Sequence, residues 1–375
     1  MDLYLNIIHY TIKMTSEFTA ISLFSGLGGD SLGLKQSGCK IIAYNELKPL
    51  FCKSHDANFP DSELIHEDKV HDISKLKDST FEKYKDKTDI IFAGFPCQGF
   101  STAGKKKDDD PRNTMFLEFL RATKIINPNI IIGENVKGLL KRTASNGELY
   151  IDIIVAEFEK LGYDVIYQVF KCEKYNVPQS RERLIIIGIK KDNPHGWKPS
   201  FPEPSITNPN LIPIIKYDMT GSIKVNSEWF KDIPDQCILT DMNDTNVYKN
   251  NNGAHPYLVS KIVAGDDEKS YNGKDYDYLF SFGKRDSPIH CEIIDIRKPS
   301  KTIICTYEHQ PRLFVPLRNP SGCYIRMLLP SELKQIQGFP EDYIVCGNVK
   351  EQIIQIGNAV PPPLIKAICE NIIKK

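Results

Sequence analysis

The sequence predicts an α/β protein: a doubly wound, mostly parallel sheet followed by a smaller, loop-rich β unit. Three observations carry this. Apolar runs of strand length alternate with helix-length stretches from residue 18 to about residue 190. The last two runs of that region have no helix between them and are expected to meet antiparallel. Near Pro194 the texture changes, and residues 194–295 become rich in Pro, Asn, Asp, Gly and Tyr, with short β-like runs and no long amphipathic helix.

The elements follow in order. Residues 18–24 read as a strand and 30–37 as a helix. A strand over 40–44 leads to a helix over 49–57, and a short segment occupies 65–73. The strand 89–93 is followed by a helix over 113–126, and the strand 130–133 by a helix over 148–161. Residues 164–170 and 183–189 form the antiparallel pair. In such sheets the crossovers are right-handed and ligands bind beyond the carboxyl ends of the strands. Residues 349–375 return to a helical pattern around Gly357-Asn358-Ala359-Val360-Pro361.

Composition narrows the function classes. The 375 residues are 41% hydrophobic and 26% charged, as in ordinary globular proteins, and are enough for one large and one smaller domain. Lys+Arg and Asp+Glu both number 48, so a polyanion partner would have to be met by a local basic cleft rather than by overall charge. The ten cysteines include no C-x-x-C pair, which argues against zinc and for a reduced, intracellular protein without a metal. The first 14 residues lack a basic leader region and a membrane-length apolar run, so no membrane association is expected.

One thiol stands out. Cys97 lies in Gly94-Phe95-Pro96-Cys97-Gln98-Gly99-Phe100-Ser101, a Pro- and Gly-bounded turn directly after a strand. That position displays a nucleophile at a sheet edge. A thiol near its reference value of ~8.5 needs positive potential to become a thiolate, and Arg181 and Arg183 in Gln179-Ser180-Arg181-Glu182-Arg183 are candidate sources. Glu134, at the end of the next strand in Glu134-Asn135-Val136, is the natural proton partner. Thiol, acid and arginine pair together suggest covalent attack on a ring that is protonated as it is attacked.

A second cluster points to a small ligand. Phe24-Ser25-Gly26-Leu27-Gly28-Gly29 follows the first strand and opens the first helix, leaving free N–H groups at a helix start. Ser31 stands where a nicotinamide fingerprint needs its third glycine. Glu46 ends the second strand, where a carboxylate can accept from two ribose hydroxyls, and Phe24 can stack on a purine. Asp72 is either an acceptor for an adenine amino group or a helix cap.

These motifs occur together with Arg297-Lys298-Pro299-Ser300-Lys301-Thr302, Gln337-Gly338-Phe339-Pro340 and Gly357-Asn358-Ala359-Val360-Pro361-Pro362. In this order they resemble the C5-cytosine DNA methyltransferases of compact bacterial or viral type. The resemblance implies the class I S-adenosylmethionine-dependent methyltransferase fold. It implies an N-terminal extension (1–17), a catalytic and cofactor-binding domain (18–193), a target-recognition domain (194–344) and a C-terminal segment (345–375) that returns to the catalytic domain. It implies that Cys97 attacks C6 of a flipped cytosine, Glu134 protonates N3, Arg183 meets O2, and Arg181 and Gln179 brace the site. Phe24, Ser25, Gly26, Leu27, Gly28, Gly29, Glu46, Leu47, Asp72, Ile73, Pro96, Asn358 and Val360 would hold S-adenosyl-L-methionine and its product S-adenosyl-L-homocysteine. Gln98, Ser101, Lys284 and Arg285 are the DNA-contact candidates.

Leu47 departs from the aromatic or acidic residue frequent beside the ribose-binding Glu. His71 replaces a Gly before the Asp, with Asp68 as the fallback acceptor. The resemblance further implies a monomer acting on double-stranded DNA inside a prokaryotic or virus-infected cell, with room for a cognate restriction endonuclease. Competing readings are a tRNA cytosine-5 methyltransferase, a catalytically inert DNA-binding module and a nicotinamide dehydrogenase. Phe95-Pro96-Cys97-Gln98, in place of Pro-Pro-Cys-Gln, disfavours the first.

Overall fold

The computed structural model describes residues 17–96, 115–144, 146–248, 253–266, 279–285 and 290–374. The first unit runs β1 (Phe18–Leu23), α1 (Gly29–Gln36), β2 (Cys39–Asn45), α2 (Pro49–Asn58), β3 (Glu63–Leu64), α3 (Ser79–Glu82), β4 (Ile90–Ala93), α4 (Met115–Ile126), β5 (Ile130–Asn135), α5 (Tyr150–Lys160), β6 (Tyr163–Lys171), β7 (Gln179–Ser180) and β8 (Glu182–Lys190). Seven of these strands form one sheet in the order β3-β2-β1-β4-β5-β8-β6. Neighbours from β3 to β5 are parallel, and β8 runs antiparallel between β5 and β6. The strand order reverses between β1 and β4, so a ligand crevice opens beyond their carboxyl ends.

Burial on both faces explains why the central strands are unbroken apolar runs rather than alternating ones. Ile90, Phe92, Ile130 and Ile132 pack on one side with Leu34, Ile365 and Ile368. Ile91, Ala93 and Ile131 pack on the other with Phe116, Phe119, Ile154 and Phe158. The helix α4 shows the matching pattern, with Phe116, Phe119, Ala122, Thr123 and Ile126 buried at spacings of three and four.

The second unit contains β9 (Ile223–Val225), β10 (Leu239–Thr240), α6 (Pro256–Asp266), β11 (Phe280–Phe282), β12 (Cys291–Ile293), β13 (Ser300–Lys301), β14 (Leu313–Asn319) and β15 (Gly322–Met327). Its sheet has the order β11-β12-β14-β15-β9, with β10 also on β14. Arg326 anchors it. Fully buried, it donates to both carboxylate oxygens of Glu332 and to the carbonyls of Lys216, Asp218 and Met327. A buried ion pair with its donors satisfied in this way is tolerated, whereas a half-satisfied one is not.

The helix α6 lies in the stretch read as having only short β-like runs. It starts at Pro256, and the ring Nδ1 of His255 accepts the N–H of Tyr257 at 3.2 Å, so an uncommon cap hides the start signal.

The chain returns to the first unit twice. β13 pairs in parallel with β7, Ser300 opposite Gln179. Later come α7 (Pro330–Ile336), α8 (Val349–Asn358) and α9 (Pro362–Ile373). Helix α9 lies so close to α1 that a Cβ on Gly33 would sit 2.6 Å from the Pro362 carbonyl oxygen. Among the described residues no helix is long and apolar enough to cross a membrane.

Candidate active site

The turn after β1 is built for close approach. Phe24 has φ +56°, a left-handed conformation that is strained for a bulky residue. Gly26 and Gly28 also have positive φ. A Cβ on Gly29 would lie 2.0 Å from the Val360 carbonyl oxygen, so only glycine fits beneath the C-terminal segment. Ser25 and Leu27 are buried within the same turn.

Glu46 stands just past β2 and is buried. Its Oε2 accepts the N–H of Gly26 at 2.9 Å and its Oε1 accepts the N–H of Lys48 at 2.8 Å. Burial pushes its carboxyl above the ordinary range, against the pull of those two donors. The side-chain amide of Asn45 donates to the carbonyls of Ile65 and His71, which brings the 65–73 segment beside Glu46. Leu47 is an exposed apolar side chain at this edge. Asp72 caps the short turn after it: Oδ1 accepts from Ser74 N–H and Oγ, and Oδ2 pairs with Lys75 at 3.4 Å. Ile73 is buried in the core, and Asp68 has φ +48°.

The chemical end lies one strand over. β4 runs into Gly94, Phe95 and Pro96; Cys97, Gln98 and Ser101 lie outside the described residues. On the neighbouring strand, β5 extends past the predicted end to include Glu134 and Asn135. Asn135 fixes the junction: its Nδ2 donates to the Phe95 carbonyl at 3.2 Å and its Oδ1 accepts the Val136 N–H at 2.9 Å. Glu134 Oε1 pairs with Arg183 Nε at 2.7 Å, both side chains being largely buried. A Cβ on Gly94 would lie 3.7 Å from Glu134 Oε2 and 3.7 Å from a methyl of Val360. Carboxylate and C-terminal segment therefore converge over the end of β4. Asn358 is exposed there between buried Gly357 and Ala359.

Arg181 and Gln179 are committed to structure. The Arg181 guanidinium is buried and donates to the carbonyls of Ile303, Gly357 and Ala359. Burial lowers its pKa to about 9. Gln179 accepts the Ile303 N–H at 2.9 Å and donates to Gln337, which in turn donates to the Ala359 carbonyl. Both residues hold the C-terminal segment against the sheet. Lys284 and Arg285 are exposed at the end of β11, on the other unit.

Three contributors went unassigned in the sequence reading. Gln337 sits inside a recognised motif, but its partner is 158 residues away. The Tyr343 hydroxyl donates to the Leu27 carbonyl at 2.6 Å and clamps the glycine turn from behind. Asp30, in the first turn of α1, is buried; from sequence an acid there reads only as a favourable helix-dipole charge.

Comparison with known proteins agrees with this arrangement. The family described as C-5 cytosine-specific DNA methylase matches residues 18–374. The chain is 33% identical over 367 residues to the Type II methyltransferase M1.HphI of Haemophilus parahaemolyticus, covering 95% of this chain and 87% of that protein. It is 30% identical over 369 residues to M.Eco47II of Escherichia coli, covering 95% and 79%. In three dimensions it resembles DNMT2 of Spodoptera frugiperda, with a TM-score of 0.63 at 18% identity over 93% of this chain and 97% of that one. It also resembles the methyltransferase EhMeth of Entamoeba histolytica, with a TM-score of 0.60 at 17% identity over 94% and 97%. The fold is that of the class I S-adenosylmethionine-dependent methyltransferases, and the chain belongs to the C-5 cytosine-specific DNA methylase family.

Proposed function

We propose that this DNA cytosine-5 methyltransferase takes its methyl group from S-adenosyl-L-methionine, with Cys97 as nucleophile and Glu134 as the proton partner of the base. The observation that carries the reading is the Glu134–Arg183 pair at the carboxyl end of β5, beside the strand that leads through Pro96 to Cys97. When bound, the donor supplies an electrophilic methyl group on a sulfonium. The residues present suit it: a glycine turn too tight for any Cβ at Gly29, and a buried Glu46 already organised by two backbone N–H groups. In this reading Phe24, Leu47, Asp72, Ile73, Pro96, Asn358 and Val360 complete the donor site.

The chain's own steps follow from this. The pocket receives a cytosine turned out of the duplex, at a cost of a few kcal/mol recovered through contacts. Cys97 adds to C6 while Glu134 holds a proton at N3, so the ring accepts the electron pair. Arg183 fixes Glu134 through Oε1 and meets the O2 side of the base. After methylation the C5 proton leaves, the electron pair returns and Cys97 is expelled.

In this reading 18–193 forms the catalytic unit and 194–344 chooses the DNA sequence, with Lys284 and Arg285 reading bases or phosphates and Gln98 and Ser101 meeting the target. The enzyme acts as a monomer inside the cell. The description of the family as a C-5 cytosine-specific DNA methylase favours DNA over tRNA as substrate.

The test is a duplex carrying 5-fluorocytosine, whose C5 cannot lose a proton. Incubated with donor, the wild-type chain is expected to form a covalent complex stable to denaturation. Cys97→Ser should form none while still binding DNA. A wild-type chain that methylates DNA yet is never trapped would overturn the assignment.

A further inference from the structure

Asp30 takes no part in the steps above, yet it is the most unusual group at the cofactor turn. It follows Gly29 directly and is 1% exposed. Its Oδ2 has no hydrogen-bond partner. It faces Ser22 of β1, whose buried hydroxyl favours the ionised carboxyl. On its own helix the N–H groups of Asp30 and Ser31 point toward it. From β5 the charge that bears on it is a second acid, Glu134. From the segment after α7 comes the Tyr343 phenol, already donating to Leu27. From α2, His55 is linked through Ser31, and burial holds its ring neutral, down to about 3. None of these neighbours is a cation.

A buried carboxylate without a counter-cation is expensive, and the Ser22 hydroxyl, the N–H groups of Asp30 and Ser31 and the N-terminus of α1 offset only part of that cost. When such a group lies beneath a turn that receives a ligand, the ligand can bring the missing charge. Methyl donor and demethylated product differ by one methyl group and one positive charge. The hydrogen bonds of Glu46 and of the glycine-turn backbone meet parts common to both. A fixed negative charge separates the two.

We propose that Asp30 is a specificity-determining residue that favours the sulfonium donor over the neutral thioether product, by placing an unpaired negative charge under the glycine turn. The proposal rests on the assignment of S-adenosyl-L-methionine to this site. Asp30 acts through its field, so it limits product inhibition without touching the reacting atoms. Burial raises its pKa to about 7, so the charge, and with it the preference, grows as pH rises from about 6 to about 8.

The experiment is calorimetric titration of DNA-free protein with S-adenosyl-L-methionine and with S-adenosyl-L-homocysteine at both pH values. It compares wild type, Asp30→Asn and Asp30→Leu, with thermal melts to show that each variant is folded. The readout is the ratio of the two dissociation constants. Glu46 is present in wild type and variants alike, so its share of the ratio is removed by comparing them at the same pH. At the higher pH, wild type is expected to favour the donor on the order of tenfold more than either variant, and to lose much of that preference at the lower pH. The variants should show a much weaker pH dependence of the ratio than wild type. A wild-type ratio matched by either folded variant overturns the role of Asp30. Failure of wild type to bind both ligands overturns the cofactor assignment instead.

Discussion

Glu134 and Arg183 show how sheet geometry sets one buried ion pair. They stand on adjacent antiparallel strands, Glu134 opposite Ile185 and Arg183 two residues away, so the pair is fixed by register rather than by a loop. Glu134→Gln keeps the shape and removes the acid. It is expected to slow the single-turnover methylation rate by about 10²–10⁴-fold while changing donor affinity little; an equal loss of both would contradict the role. Arg181 is a different case. Three backbone carbonyls depend on its guanidinium, and a lysine offers a point charge rather than a fork. Both Arg181→Ala and Arg181→Lys should therefore destabilise the chain in urea unfolding, the alanine by roughly 3 kcal/mol or more. Asp30 carries a pH signature. Its folded pKa is raised from the ordinary 3.8 to about 7, so the folded state holds the proton more tightly than the unfolded chain. Its contribution is most favourable below the unfolded value and is lost as pH rises through the folded one. Asp30→Asn should thus stabilise the ligand-free protein by roughly 2–4 kcal/mol more at pH ~8 than near pH ~4, read by urea unfolding at the two pH values.

At the scale of elements, close approach governs the joint between α1 and α9. A Cβ on Gly33 would meet the Pro362 carbonyl oxygen at 2.6 Å and the Ile365 Cβ at 2.7 Å, and neither is the end of a flexible side chain. Gly33→Ala should push α9 outward, lower the unfolding free energy by about 1–3 kcal/mol, and weaken donor binding because Val360 lies just ahead of α9. Denaturant melts and calorimetry would show both losses together; a stable variant with normal donor affinity would refute the link. The same packing explains what the sequence made legible. Residues 90–93 and 130–132 are buried on both faces, so their apolar runs announce strands without any partner being known. Phe24–Gly29, Glu46 and Glu134 were legible because each lies at a strand end in the parallel part of the sheet. Gln337 and Tyr343 were silent because their partners, Gln179 and Leu27, lie more than a hundred residues away in sequence. Asp72 shows the limit of spacing alone, since the cap and the ligand acceptor share one sequence pattern and the cap is what the fold displays.

At the scale of the molecule, the two units are joined by chain that crosses between them more than once. β13 pairs with β7, and the Ile303 N–H and carbonyl are held by Gln179 and Arg181. The segment from Gln337 to Val360 then braces the glycine turn and the end of β4. The stretches 300–305 and 337–360 thus pack against the first unit, whereas β14 and β15 between them belong to the sheet of the smaller one. This sets where a specificity swap must be cut. The stretch 194–295 contributes β9 to β12, and the rest of its sheet, β14 and β15, lies beyond it. A graft of 194–295 from a relative that preserves the pairing of β9 with β15 and of β12 with β14 leaves the 300–305 brace intact. It is expected to move the methylated sequence to that of the donor of the graft, with methyl transfer retained, as read by bisulfite sequencing of DNA from expressing cells. A graft of 194–344 replaces Ile303, Gln337 and Tyr343 together, and should lose most methylation unless the incoming segment restores those three contacts. An unchanged target after the shorter graft would mean that sequence choice resides outside 194–295.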